Sequence, residues 1–73
     1  MLNFTDQDKK FIQRNFTNAE QLLASSSRRE VLIAIYDLID EKGFAPPHYY
    51  DYNSFGREAQ KIYDSIYQNN PKS

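Results

Sequence analysis

Three side chains near the middle of the chain have the residue types of a hydrolase triad: His48, Asp51 and Ser54. Nucleophilic catalysis also requires a rigid site that excludes water and holds hydrogen-bond donors for an oxyanion. These three residues lie in or beside one loop of a 73-residue chain, which is too small to enclose such a site. We therefore predict that the protein is not an enzyme and has no catalytic residue.

Metal binding is the second chemistry that this region suggests. Asp51, Asn53 and Gly56 fit the first half of a calcium loop, in which a glycine makes the sharp turn. Two further ligand positions hold Phe55 and Ile62, whose side chains have no oxygen atom. One His and no Cys leave few ligands for transition metals. We predict no metal site and no cofactor, and interpret Asn53 or Ser54 as the N-cap of a helix.

Arg28 and Arg29 stand at the start of a predicted helix, where positive charge opposes the helix dipole. Residues that break a local rule are sometimes functional. If the chain breaks near Asn18, the segment 18–24, a serine turn and the helix from Arg28 have the order of a helix-turn-helix, whose second helix reads DNA. A small DNA-binding regulator that uses these two arginines is therefore an alternative function. Surface pairing with nearby carboxylates would explain the same residues.

The most distinctive surface candidate is a loop rich in proline and tyrosine. Residues 46–49 fit the PPxY pattern of WW-domain ligands, in which a preformed polyproline II segment docks into an aromatic groove. Tyrosines are also common at protein interfaces. Alternatively, the tyrosines and Phe44 cover the open end of a small core. The partner-binding candidates are Pro46, Pro47, Tyr49, Tyr50 and Tyr52.

The first element that must position these residues is an amphipathic helix over 6–24. Thr5 and Asp8 form a capping box at its start. Between Asn15 and Asn18 the side chains compete for backbone hydrogen bonds, which favours a break in the helix there. Its apolar face contains Phe11, Ile12, Phe16, Ala19, Leu22 and Leu23.

Two further helices are predicted, over 28–42 and 54–69. Ser27 and Glu30 cap the first of these, and Gly43 is placed to end it as a left-handed residue. The apolar face of the helix over 28–42 is wide enough for a central, buried helix. Residues 70–73, which follow the last helix, are expected to fray. The apolar face of the helix over 28–42 contains Val31, Leu32, Ile33, Ala34, Ile35, Tyr36, Leu38 and Ile39. The apolar face of the helix over 54–69 contains Phe55, Ala59, Ile62, Tyr63, Ile66 and Tyr67.

Charge and hydropathy limit the classes of partner. Nine basic and ten acidic residues give a formal net charge of −1, and neither sign is concentrated in one segment. Proteins that bind polyanions over their whole surface are usually strongly basic, so that class is excluded. The lack of cysteine fits a reducing compartment, and no apolar run reaches the roughly 18 residues of a membrane helix. We expect a soluble, cytoplasmic protein without a membrane partner.

Together these observations predict an all-α, single-domain three-helix bundle with a long Pro/Tyr loop between the second and third helices. The function that fits best is a non-enzymatic helical module that binds another protein, with an interface that includes the loop 44–55. A DNA-binding regulator remains the first alternative. A homo-oligomeric structural module is the second, because the wide apolar face of the central helix is more than two neighbouring helices need.

Overall fold

The structure, a computed structural model, describes residues 2–44 and 51–71. This part of the chain is mostly helical and contains no β-strand, which confirms the all-α prediction. The three-helix arrangement is not confirmed, because the described residues form four helices. They are α1 (Asp6–Asn15), α2 (Ala19–Ala24), α3 (Arg28–Lys42) and α4 (Ser54–Asn69).

The fourth helix arises because the predicted first helix is divided. Phe16 has an extended backbone, with φ −125° and ψ 132°, and ends α1. The Asn15 side-chain amide donates a hydrogen bond to the carbonyl of Phe11 at 2.9 Å, so this side chain competes with the backbone as expected. Asn18 then leads into α2. The prediction over 6–24 left open a break near Asn15–Asn18, and the structure has the break in that segment.

At its start, α1 has the predicted capping box, which also ties it to α4. The Thr5 N–H donates to Asp8 Oδ2 at 2.9 Å, and the Asp8 N–H donates to Thr5 Oγ1 at 3.1 Å. Asp8 is fully buried, and the Ser65 hydroxyl of α4 donates to the same Oδ2 at 3.1 Å. Asp8 therefore caps one helix and accepts a hydrogen bond from another.

The two long helices form the centre of the fold. α3 and α4 run antiparallel, since Arg28 at the start of α3 contacts Asn70 just after α4, and Gly43 just after α3 contacts Asn53 just before α4. α1 packs on α4, and α2 packs on α1. The buried apolar side chains come from all four helices and the N-terminal segment: Leu2, Phe11, Ile12, Leu22, Val31, Leu32, Ile35, Leu38, Ile39, Ala59, Ile62 and Ile66.

The junction between α3 and α4 is held by Asn53 and two glycines. Asn53 Oδ1 accepts from the Gly56 N–H at 2.7 Å, its Nδ2 donates to the Lys42 carbonyl at 2.7 Å, and its N–H donates to the Gly43 carbonyl at 2.8 Å. Gly43 has φ −89° and ψ −1°, so the predicted left-handed conformation is wrong. Both positions need glycine because neither has room for a side chain. A Cβ on Gly56 would overlap the Gly43 carbonyl oxygen, and a Cβ on Gly43 would lie 2.6 Å from the Ile39 carbonyl oxygen.

The two ends of the described chain are joined by a pair of asparagines. The Asn3 N–H donates to Asn70 Oδ1 at 2.6 Å, and Asn70 Nδ2 donates to the carbonyls of Asn3 and Ile66 at 3.0 and 2.8 Å. Asn70 is buried. At this residue the structure differs from the expected fraying of 70–73, because the Asn70 side chain binds the N-terminal segment; residues 72–73 lie outside the described residues.

Candidate protein-binding face on α3 and α4

Some of the residues for which catalysis and calcium binding were considered and rejected lie at the α3–α4 junction. Asp51 and Ser54 are exposed, and His48 lies outside the described residues. Asn53, the second residue of the calcium pattern, uses both atoms of its side-chain amide to join α3 and α4. In the described part of the chain, no three metal-ligating side chains form a group that could hold an ion.

Large apolar side chains are exposed on both long helices. Ile33 and Tyr36 of α3 are 48% and 61% exposed, and Tyr67 of α4 is 53% exposed. α3 is therefore less buried than its apolar pattern predicts, because Ile33 and Tyr36 lie on the side of α3 that faces away from the buried Ile35. Single exposed apolar residues are ordinary, but two that line the same groove are typical of a binding surface.

Two shallow grooves lie beside Ile33 and Tyr36 and form a strip along α3. One groove of about 290 Å³ lies near the start of α3, and a smaller one of about 130 Å³ lies near its end. Tyr36 lines both, so the two grooves are neighbours along α3. We call this strip the α3–α4 face; it is lined by Arg28, Arg29, Leu32, Ile33, Tyr36, Ile39 and Asp40 of α3, by Gln60 and Tyr63 of α4, and by Phe44 and Tyr52 of the connection.

Tyr52 is the partner-binding candidate that the structure describes. It is paired with Phe44 across an isolated antiparallel bridge, and the two rings stack with their centroids 5.2 Å apart. The Tyr52 hydroxyl donates to Gln60 Oε1 at 3.1 Å, and 37% of the residue remains exposed. Tyr52 thus stacks on Phe44, which packs against the core, and lines the smaller groove of the α3–α4 face. Its role in partner binding stays a prediction. The candidates Pro46, Pro47, Tyr49 and Tyr50 lie outside the described residues.

The two arginines proposed for nucleic acid have different environments. The Arg28 guanidinium lies 4.6 Å from the centroid of the Tyr67 ring, and its Nη1 donates to the Asn70 carbonyl at 3.0 Å. Arg28 therefore holds the end of α4 against the start of α3. Arg29 is exposed at the end of the α3–α4 face. The sequence offered no signal for the role of Asn70, because its contacts are 42 and 67 residues away.

The ends of the α3–α4 face carry opposite charges. Arg29 lies in the first turn of α3 and Asp40 near its last turn, with Ile33 and Tyr36 between them. Within residues 2–44 and 51–71, neither Arg29 nor Asp40 forms an ion pair. A partner on this face would therefore contact an apolar centre with a cation at one end and an anion at the other.

A second concave region lies between α1 and α4. Its volume is about 440 Å³, and its floor is formed by Phe11 and Ile62, which are buried. Its rim is charged and exposed, and Arg14 lies 3.8 Å from Glu58. Both signs of charge are present on the rim and its apolar residues are already covered, so this cleft is a weaker candidate for a binding site than the α3–α4 face.

Comparison of the chain with protein families, curated proteins and solved structures returns no match in any of the three. None of the helices in the described part of the chain is long and apolar enough to cross a membrane.

Proposed function

We propose that this chain is a non-enzymatic helical module that binds another protein through the α3–α4 face. The observation that carries the proposal is the exposure of Ile33 and Tyr36, which are 48% and 61% exposed and line the grooves of this face. Aromatic residues are enriched in the energetically important centres of protein interfaces, where a large apolar ring is buried and a hydroxyl still finds a partner.

The rest of the α3–α4 face fits this use. Its grooves are shallow and open, which suits a helix or an extended segment of a protein better than an enclosed small molecule. Tyr52 connects the face to the Pro/Tyr loop, so the predicted interface over 44–55 would extend the same surface. The loop residues 45–50 remain a prediction from sequence.

Site-specific photo-crosslinking tests the proposal in the cells that make the protein. Tyr36 is replaced by p-benzoylphenylalanine, which retains a large aromatic body and forms a covalent bond to a neighbouring protein on irradiation. We expect an adduct heavier than the 8.6 kDa chain. Gln13, exposed on α1 outside the α3–α4 face, is the matched control position. If Tyr36 yields no more adduct than Gln13, the face does not contact a protein and the proposal is wrong.

Binding to duplex DNA is the second candidate function. α2, the turn 25–27 and α3 follow one another in the order of a helix-turn-helix, and Arg29 is exposed in the first turn of α3. Two contacts count against it: α2 packs mainly on α1, and Arg28 is held by Tyr67 and Asn70. A titration with duplex DNA at roughly 50 mM salt is the test, since phosphate contacts are strongest at low salt. Binding that Arg29→Ala weakens would support this function, and no binding at that salt would exclude it.

A further inference from the structure

We infer that the partner on the α3–α4 face is a second copy of this chain, packed antiparallel on α3 about a two-fold axis between Ile33 and Tyr36. This inference rests on the proposed function and names the occupant of its site. It is carried by a stripe of four residues along α3: Arg29, Ile33, Tyr36 and Asp40. All four line the grooves of the α3–α4 face.

The spacing of the stripe makes it complementary to itself. Arg29, Ile33, Tyr36 and Asp40 are separated by four, three and four residues, which places them on one side of the helix. Along α3 the stripe therefore consists of a cation, an aliphatic side chain, an aromatic side chain and an anion, in that order. When a second α3 is packed antiparallel across the midpoint of the stripe, Ile33 of each copy meets Tyr36 of the other. Arg29 of each copy then meets Asp40 of the other, so one two-fold axis forms two ion pairs.

The charges at the ends of the stripe have no attractive partner within their own helix. Arg29 is close to the positive end of the α3 dipole and Asp40 is close to the negative end, so each opposes the dipole. The antiparallel arrangement reverses both relationships, because Arg29 then lies at the carboxyl end of the second α3 and Asp40 at its amino end. The two charges are about 16 Å apart along the helix axis, a distance that only a partner lying along the whole of α3 can span.

Neither end of the stripe needs a rearrangement before it can pair. Arg29 and Asp40 are exposed, and within the described residues they form no ion pair that would have to break. Arg28 can keep its contacts with Tyr67 and Asn70, because its neighbour Arg29 supplies the charge. The apolar pair of Ile33 and Tyr36 is buried at the centre of such an interface, and the ion pairs lie at its rim.

Reversing the charge of Arg29, of Asp40 or of both residues tests the inference. Sedimentation equilibrium of the wild-type chain over roughly 10 μM to 1 mM covers the weak association expected of a small interface. We expect the average mass to rise from 8.6 kDa toward twice that value. Arg29→Glu alone, or Asp40→Lys alone, places like charges opposite each other twice. Each should weaken self-association by roughly tenfold or more.

The same two substitutions restore association when they are combined. The double variant exchanges the charges within each chain, so both ion pairs form again with reversed sign. An equimolar mixture of the two single variants forms a heterodimer for the same reason. Both substitutions agree with the helix dipole, so circular dichroism should show that the variants remain folded. Lys10→Glu in the α1–α4 cleft is the matched control and should leave self-association unchanged.

The outcomes separate this inference from the proposed function. A wild-type chain that stays monomeric throughout the range overturns the inference. If photo-crosslinking at Tyr36 then gives an adduct with a different protein, the proposed function stands and the second copy is the wrong partner. If the chain associates but the double variant does not recover, the antiparallel pairing is wrong. A monomer without any crosslinked adduct overturns both.

Discussion

Gly56, in the first turn of α4, lies so close to Gly43 that a Cβ atom at position 56 would overlap the Gly43 carbonyl oxygen. Asn53 fills the rest of this junction, because its amide caps α4 and binds the end of α3. The close approach of two backbones thus sets how α3 meets α4. The α3–α4 face exists only because these helices lie side by side.

Gly56→Ala should destabilise the protein, although the same change usually stabilises a helix by about 0.5–1 kcal/mol. The added Cβ must displace the Gly43 carbonyl, and we expect a loss of about 2 kcal/mol or more in the free energy of unfolding. Denaturant titration measures it. Ser54→Ala, at an exposed position of the same helical turn, is the control and should change stability little. An unchanged or raised midpoint for Gly56→Ala would show that the junction tolerates a side chain.

Asp8→Ala should cost about 1–3 kcal/mol of stability, because it removes the acceptor of two hydrogen bonds. The Thr5 N–H and the Ser65 hydroxyl both donate to Asp8 Oδ2 in a buried setting. Asp6→Ala removes an exposed carboxylate from the same first turn of α1, so it reproduces the loss of charge near the helix dipole alone. Equal effects on thermal unfolding would mean that the buried hydrogen bonds contribute nothing beyond that charge.

Ile35→Ala and Ile33→Ala should differ sharply, although the two residues are two positions apart on α3. Ile35 is fully buried, so its truncation leaves a cavity and should cost about 2–5 kcal/mol. Ile33 is 48% exposed, and Ile33→Ala should change the unfolding free energy of the monomer by less than about 1 kcal/mol. Urea titrations of both variants at low protein concentration provide the comparison. Similar midpoints would show that the buried side of α3 is assigned wrongly.

Arg28→Ala should destabilise the monomer by about 1 kcal/mol, because it removes the contact with Tyr67 and the hydrogen bond to Asn70. Arg29→Ala should stay within about 0.5 kcal/mol of the wild type, since Arg29 is exposed. Thermal unfolding at a concentration where the chain is monomeric measures both. If Arg29→Ala has the larger effect on the monomer, the roles assigned to the two arginines are reversed.

The sequence predicted the parts of the fold that depend on neighbouring residues. Side chains within three positions of a helix start form the caps, so Thr5 and Ser27 could be assigned in advance. For α4 the sequence left Asn53 and Ser54 as alternatives, and the structure has Asn53 as the cap. Even here the detail differs at one cap. Ser27 accepts from the Glu30 N–H, but the Glu30 carboxylate accepts from the Ser25 hydroxyl instead of returning to Ser27.

The candidate site was harder to predict, because it depends on which part of each helix its neighbours cover. Tyr52 and Arg29 were singled out by residue type, and both line the α3–α4 face. Ile33 and Tyr36 were assigned to the apolar side of α3, whose pattern is too wide to show which edge stays exposed. Only the position of α4 separates the buried Ile35 from the exposed Ile33.

By itself, the sequence determined the helical class and the helix starts after Thr5 and Ser27, and it marked Asn15–Asn18 as the segment for an alternative break in the first helix, since these features follow from local hydrogen bonding and periodicity. The tertiary structure decided which residues meet across the chain: Asn3 with Asn70, Arg28 with Tyr67, and Gly43 with Gly56. These contacts connect residues far apart in sequence, and no local pattern specifies them. They arise when α3 and α4 pack side by side, which also leaves Ile33 and Tyr36 exposed between Arg29 and Asp40.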